Sequence, residues 1–258
     1  MFDNDAPPRH PPSSKILAAV LPVRSALLRF IGRRRTVRGH ILSQQCYPEL
    51  RVLETTVVLQ REWAGHAAGQ FAFVHTPHHA GNCLYPIASA WDAEIRRIVF
   101  VTRASRDRQA ALHEQLCAGD EIAIAGPYGR FTFGGGRTCQ VWIAAGIGIA
   151  PFIARMEELA RMPRGHHHVD LFHSTLNLSE AAIARLTALA HAARVRLHLL
   201  VAPYSVNLIS HDIRAGVPGW HDADMWFCGP AHSGRMLRNE LVSNGFNSRH
   251  FHQFSYLF

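Results

Sequence analysis

A glycine turn that follows an apolar run is the stretch of this sequence with the clearest capacity for chemistry. Residues 140–145 are largely apolar and strand-like, residues 146–151 read Gly-Ile-Gly-Ile-Ala-Pro, and a helix-compatible sequence follows from Phe152. Glycines let a ligand approach the backbone closely, and the free N–H groups at the start of a helix favour an anion such as a dinucleotide pyrophosphate. The Rossmann spacing of three glycines is not met, because Pro151 stands at the third position. The turn alone therefore fits a nucleotide site and an ordinary strand-to-helix connection equally well.

The positive charge of the chain is concentrated near its N-terminus. The formal net charge is +8, and between Ala6 and Pro48 there are eight basic residues and no acidic ones. The apolar part of the segment 15–38 is too short and too charged to span a membrane. This segment fits a peripheral contact with an anionic membrane or a membrane partner, and equally a docking helix with a solvated basic end. Only one aromatic residue, Phe30, lies among its arginines, so we expect no nucleic-acid partner.

The cysteines and histidines do not form a recognisable metal motif. The five cysteines are scattered, without a Cys-x-x-Cys pair or the spacing of an iron–sulfur cluster. An odd number of cysteines without a secretory signal favours reduced thiols in the cytoplasm. The densest histidine groups, at 75–79 and 166–168, lie among loop-forming residues. We therefore predict no metal site and a cytoplasmic location, at the inner face of the membrane if the basic segment binds there.

Two kinds of pattern divide the chain into three parts. Residues 1–35 read as a leader and a basic apolar helix. Short runs rich in Val, Ile, Thr and Phe, separated by turn residues, predict an antiparallel barrel over 36–133, with one helix at 107–117. Strands and helices alternate over 138–258, which predicts a doubly wound parallel sheet. The expected strands are at 36–42, 51–59, 70–75, 85–89, 95–102, 121–125, 139–144, 168–173, 195–201 and 225–228, and the expected helices of the second part are at 150–162, 179–193, 207–215 and 231–244.

Five motifs in a fixed order support a more specific interpretation. They are Gly-Gln-Phe-Ala-Phe-Val at 69–74, Tyr-Pro-Ile-Ala-Ser-Ala-Trp at 85–91, Gly-Pro-Tyr-Gly-Arg-Phe at 126–131, the glycine turn at 146–151, and Phe-Cys-Gly-Pro at 227–230. This order resembles the ferredoxin–NADP reductase superfamily, and within it most resembles the dehydrogenase half of ferric reductases and NADPH oxidases. The resemblance runs from Arg35 to the end of the sequence.

The resemblance implies an FAD-binding barrel at 36–133 and an NAD(P)-binding domain at 138–258. Hydride would pass from NADH or NADPH to FAD, and electrons would then pass singly to ferric iron or to a membrane haem partner. The implied catalytic residue is Cys228, beside the nicotinamide. Tyr85 would stack on the isoalloxazine ring. The full set of implied cofactor-binding residues is Tyr85, Ile87, Ser89, Gly146, Ile147, Gly148, Ala150, Pro151, Ser174, Gly229 and Pro230.

Several positions depart from the pattern of that family. Cys83 replaces a cation that faces the flavin phosphate, Pro86 replaces a hydroxyl that faces flavin N5, and Gln109 stands where a second phosphate contact is usual. Ala150 replaces a threonine, and Leu176 lies where an arginine often binds the 2′-phosphate of NADPH. Two function classes therefore stay open. One is an FAD-dependent NAD(P)H oxidoreductase of ferric reductase type, which could dock on a membrane oxidoreductase through its N-terminal segment. The other is a degenerate relative that binds a nucleotide or a partner without turnover.

Overall fold

The computed structural model describes most of the chain between Thr36 and Ser255. The predicted leader and basic helix at 1–35 lie outside the described residues, and so does the predicted helix at 107–117 apart from its last two residues. A membrane contact through the segment 15–38 therefore stays a prediction. The described residues are 36–47, 52–60, 63–75, 83–103, 116–134, 137–163, 165, 168–176, 178–201 and 205–255.

Six antiparallel strands form the first sheet. They lie in the order β4-β3-β6-β1-β2-β5, and neighbouring strands run antiparallel. A bridge between Ile87 and Phe100, and a hydrogen bond of 2.7 Å from the Ala88 N–H to the Val99 carbonyl, join the end of β4 to β5. The sheet therefore closes on itself, which confirms the predicted antiparallel barrel. Its strands are β1 (Thr36–Tyr47), β2 (Val52–Leu59), β3 (Phe71–His75), β4 (Cys83–Pro86), β5 (Arg97–Arg103) and β6 (Glu121–Tyr128).

The alternation of buried and exposed residues explains why these segments form strands. In β1, Val37, Gly39 and Ile41 are buried, whereas the residues between them are exposed. Successive side chains of a strand point to opposite faces, so one set of side chains fills the barrel. The strand predicted at 85–89 lies at Cys83–Pro86 in the structure, where it pairs with β3.

Five parallel strands form the second sheet, in the order β11-β10-β7-β8-β9. Helices α1 and α2 pack on one face of this sheet, and helices α3 and α4 pack on the other. The structure thus confirms the predicted doubly wound sheet. The strands are β7 (Cys139–Ala145), β8 (His168–Thr175), β9 (Arg196–Val201), β10 (Asp224–Cys228) and β11 (Phe251–Phe254), and the helices are α1 (Ala150–Arg161), α2 (Glu180–Ala193), α3 (Val206–Gly216) and α4 (Ala231–Ser243).

A cluster of aromatic side chains connects the two sheets. Phe131 and Phe133, which follow β6, each place their ring centroid 5.1 Å from that of Trp226 on β10. Phe152 of α1 is fully buried and stacks on Trp142 of β7 at 5.6 Å. Aromatic side chains bury large areas, so this cluster fixes the chain segment that leads from the barrel to the parallel sheet.

The helices that pack on the second sheet are short. Among the described residues, no helix has both the length and the apolar character that crossing a membrane requires.

Replacing Phe152 with alanine tests the importance of the aromatic cluster. We expect Phe152→Ala to lower the free energy of unfolding by about 3–5 kcal/mol, because it removes a buried ring and leaves a cavity. Urea-induced unfolding followed by circular dichroism measures this change. Leu208→Ala is the control, because Leu208 is 48% exposed. Equal effects of the two substitutions would contradict the packing described here.

Candidate functional site

The carboxyl ends of β7 and β10 lie side by side, and both strands continue into glycine turns. From β7, the chain forms β8 and then β9 on one side of β7. It then returns to form β10 on the other side of β7. Ligands of parallel sheets bind at such a switch point, beyond the carboxyl ends of the strands. Ala144 of β7 pairs with Cys228 of β10, and Pro230 is exposed at the start of α4. The turns at 146–148 and 228–230 therefore share one edge.

Glycine is required for these two turns to meet. A Cβ atom on Gly148 would overlap the carbonyl oxygen of Cys228, and one on Gly229 would lie 2.7 Å from the Cβ of Ala145. Gly146 has a φ of +56°, and a Cβ atom there would meet nothing within 4 Å. The turns thus pack backbone against backbone, with open space beside Gly146.

The first turn leads directly into α1. Residues Gly146–Ile149 form a 3-10 turn, the Ala150 N–H donates to the Ile147 carbonyl, and Pro151 occupies the first turn of α1. The first N–H groups of a helix have no acceptor inside it and lie at the positive end of its dipole. The backbone of this turn is therefore suited to an anionic group such as a phosphate.

Strand β8 brings Ser174 and His173 to the same edge. They pair with Ala145 and Ala144, respectively. The ring of His173 is 4% exposed, and its Nε2–H donates to the Gly146 carbonyl over 3.2 Å. Burial lowers the pKa of His173 to about 4, and the hydrogen bond to Gly146 opposes this effect only in part. His173 is therefore neutral at pH 7 and holds the glycine turn, a role that sequence reasoning did not assign to it.

Two of the predicted site residues at this edge, Cys228 and Ala150, are fully buried. Cys228 is fully buried in the core cluster on the α1 side of the sheet. Ala150 is also fully buried, and its methyl group packs with Ala88, Val99 and Val101 of the barrel. The expected place of Cys228 beside the nicotinamide stays a prediction.

The barrel residues that the resemblance assigned to a flavin point into the barrel. Tyr85 is 5% exposed and packs in the barrel core, with its ring centroid 6.0 Å from that of Phe100. Ile87 is fully buried in the same core. Ser89 is fully buried as well, and its hydroxyl accepts the Val99 N–H at 3.0 Å. The expected contacts of these three residues with a flavin stay predictions.

Side chains of β3, β6 and β11 form an aromatic face outside the barrel core. The ring centroids of Phe71 and Phe73 lie 5.9 and 5.5 Å from that of Tyr128. Phe254 of β11 stacks on Phe71 at 5.7 Å, with 21° between the ring planes. Phe254 is also the strand partner of Cys228, so this face adjoins the glycine turns. It offers flat apolar surfaces that fit an aromatic ring system.

The other predicted contacts are only partly covered by the described residues. Gln109 and the side chain of Cys83 lie outside them, so the expected flavin-phosphate contacts stay predictions. Leu176 is 69% exposed just beyond the end of β8. In the part of the chain that the structure describes, no group of three or more His, Cys, Asp or Glu residues is arranged to hold a metal ion.

Known proteins of related sequence are longer than this chain. No protein-family model matches it. It is 33% identical over 98 residues to the heme-dependent oxidative N-demethylase beta subunit of Ectopseudomonas mendocina (strain ymp), which covers 38% of this chain and 32% of that protein. It is 28% identical over 155 residues to the carnitine monooxygenase reductase subunit of Escherichia coli (strain K12), which covers 58% of this chain and 46% of that protein. The chain thus spans less than half the length of each of these curated relatives.

Solved structures match over most of the chain. The cytochrome P450 reductase of Amycolatopsis superposes with a TM-score of 0.70 at 20% identity, covering 86% of this chain and 70% of that one. Ferredoxin–NADP reductase from Plasmodium falciparum superposes with a TM-score of 0.69 at 13% identity, covering 86% and 96%. The chain has the ferredoxin–NADP reductase fold. The FAD/NAD-binding domain of nitric oxide dioxygenase from Vibrio cholerae shares this fold, with a TM-score of 0.69 at 17% identity over 85% of this chain and 98% of that one.

The buried His173 predicts a dependence of stability on pH. Its pKa is about 4 in the folded chain and near 6.5 when unfolded, so the unfolded state binds the proton more readily between these values. This contribution to stability is fully present above pH ~6.5 and is lost as the pH falls towards ~4, by up to about 3 kcal/mol.

We expect His173→Gln, which keeps an N–H donor but does not titrate, to lack this component in urea unfolding measured at several pH values. His191→Gln, on the exposed side of α2, is the matched control. Its free energy of unfolding should depend on pH as that of the parent does. Identical pH profiles for the parent and His173→Gln would contradict a buried, neutral His173.

Proposed function

We propose that this protein is an NAD(P)H-dependent flavoprotein reductase that transfers electrons to a protein partner. The proposal rests on one observation, the close contact between Gly148 in the turn at 146–148 and the backbone of the turn at 228–230. This contact places an edge suited to an anion beside the aromatic face. The fold, in which the similar structures include FAD- and NAD-binding domains, supports the same assignment.

The nicotinamide nucleotide fits the edge of the parallel sheet. The backbone at Ile147 and Gly148 would bind its pyrophosphate, and His173 would keep the turn in place through the Gly146 carbonyl. Ser174, at the end of the neighbouring strand, is in position to donate a hydrogen bond to a ribose or phosphate oxygen. Exposed Pro230 would border the nucleotide where α4 begins.

The flavin fits the aromatic face rather than Tyr85. FAD supplies a ring that accepts hydride and releases electrons singly. Phe71, Phe73 and Tyr128 would line one side of that ring, and Phe254 of β11 would lie between it and the nucleotide edge. Apolar rings at this place exclude water from the path between the two cofactors.

The electron acceptor that we favour is an oxygenase component. One curated relative is the reductase subunit of carnitine monooxygenase, and another is a subunit of a heme-dependent oxidative N-demethylase. Free ferric iron and a membrane haem partner, which the resemblance to ferric reductases implies, are the competing acceptors. A reconstituted assay with each acceptor distinguishes them.

A specific observation favours a second candidate, a nucleotide-binding protein without turnover. Phe254 stacks directly on Phe71, and Tyr85 is withdrawn into the barrel core, so a flavin ring must displace packed aromatic contacts to bind. The two candidates differ in one measurement: the second predicts that NADH binds while added FAD does not.

A binding and turnover experiment tests the proposed function. We expect the purified protein to bind FAD and to oxidise NADH or NADPH with an artificial electron acceptor. Gly148→Ala should abolish nucleotide binding, because the added Cβ would overlap the Cys228 carbonyl.

Gly216→Ala is the control, because a Cβ there meets nothing within 4 Å. A protein that neither binds flavin nor oxidises NAD(P)H would refute the proposal. Equal nucleotide affinity in the two variants would refute the site.

The exposed Leu176 predicts a preference for NADH over NADPH. An apolar side chain provides no charge for a 2′-phosphate, whereas an arginine provides a bidentate partner. We expect Leu176→Arg to tighten NADPH binding by roughly tenfold and to leave NADH binding unchanged, as measured by fluorescence titration. Leu176→Gln, which adds polarity without charge, is the control. An equal effect on both nucleotides would place the 2′-phosphate elsewhere.

A further inference from the structure

Two consecutive carboxylates of α1 bind backbone groups of the barrel. Glu158 accepts the N–H of Ala68 through Oε1 at 2.8 Å, and Glu157 accepts the N–H of Ala90 through Oε2 at 2.9 Å. Each hydrogen bond joins residues more than sixty positions apart in the sequence. Charge-assisted hydrogen bonds of this kind are roughly twice as strong as neutral ones. We call Glu157 and Glu158, with the two amides that they bind, the carboxylate clamp.

The loops that the clamp holds flank the strand pair β3 and β4, of which β3 carries two rings of the aromatic face. Ala68 is followed by Gly69, whose Cβ would overlap the Phe131 carbonyl, and then by Gln70 and β3 with Phe71. Ala90 follows the end of β4 by four residues. The clamp therefore holds the loop before β3, which carries Phe71 and Phe73, and the loop after β4, which pairs with β3.

Further contacts keep the carboxylates and the loops in place. Arg155 donates to Oε2 of Glu158 at 2.8 Å, and the two side chains are only 23% and 19% exposed. Arg161, at the end of α1, donates to the Trp91 carbonyl at 3.3 Å and lies 3.7 Å from an Asp92 carboxylate oxygen. The last two turns of α1 are thus bound to the barrel at several points.

The same helix begins at the candidate nucleotide site. Its first residue, Ala150, directly follows the 3-10 turn that contains Gly146 and Gly148. Because a helix is a stiff rod with fixed rise per residue, its two ends cannot move independently. The nucleotide turn and the aromatic face are therefore connected through one rigid element.

We propose that Glu157 and Glu158 are positioning residues that set the distance and angle between the bound nicotinamide and the flavin. The proposal rests on the proposed function. The clamp binds the backbone at Ala68 and Ala90 and not at the glycine turns, so we expect its removal to leave both binding surfaces intact and to alter their relative placement. It therefore governs the rate of hydride transfer more than the affinity for either cofactor.

The test compares Glu157→Ala and Glu158→Ala with the parent in anaerobic stopped-flow flavin reduction and in nucleotide titrations. We expect each alanine variant to reduce the hydride-transfer rate by about tenfold to a hundredfold, because misplacement of reacting groups by ~1 Å has effects of this size. The dissociation constant of NADH should stay within about twofold, since the glycine turns are unchanged. Glu157→Gln and Glu158→Gln keep an acceptor oxygen and should recover much of the rate.

A second readout needs no cofactor. Amide hydrogen exchange of Ala68 and Ala90, followed by NMR on the protein alone, should accelerate in the alanine variant of the corresponding glutamate and much less in the glutamine variant. Glu121→Ala is the control for both readouts, because Glu121 forms only an exposed ion pair with Arg38 in the described part of the chain.

The outcomes separate this inference from the proposed function. A parent that reduces no flavin refutes the proposed function and removes the reaction that the clamp would serve. An active parent whose alanine variants show faster amide exchange but an unchanged hydride-transfer rate refutes the positioning role. A loss of NADH affinity as large as the loss of rate refutes it as well, because the clamp would then support the nucleotide site itself.

Discussion

The candidate site depends on the close approach of Gly148 to the carbonyl group of Cys228. A side chain at position 148 would separate the ends of β7 and β10, and with them the two turns that border the switch point of the sheet. The same approach fixes where α1 begins, because the 3-10 turn runs into the helix without an intervening loop. His173 supports this arrangement from β8 through the Gly146 carbonyl. One backbone contact thus sets the geometry of the whole edge.

Helix α1 transmits that geometry to the barrel. Its first turn packs against Ala88, Val99 and Val101 through Ala150, its Phe152 enters the aromatic cluster, and its last turns hold two barrel loops through carboxylates. Buried rings provide apolar contact, whereas the charge-assisted hydrogen bonds provide direction. Helix α1 therefore contacts the barrel through apolar side chains at its start and through polar ones at its end.

Sequence patterns were sufficient for the fold and for the glycine edge. Period-two runs indicate the barrel strands, alternation of strands and helices indicates the parallel sheet, and the turn at 146–151 marks the switch point. Patterns could not decide which face of β4 carries Tyr85, because the order of motifs is the same for either face and only the pairing with β3 fixes it. Phe254, His173 and the two glutamates were missed for a related reason. Their roles arise from contacts between distant parts of the chain.

The central claim is that a nicotinamide nucleotide binds across the two glycine turns. Addition of NADH to isotopically labelled protein, followed by two-dimensional amide NMR, tests it most directly. The account predicts the largest chemical-shift changes at Ile147, Gly148 and Gly229, with smaller changes at Ser174. Shift changes that spare these amides and fall instead in the barrel, around Trp63 and Arg96, would contradict it.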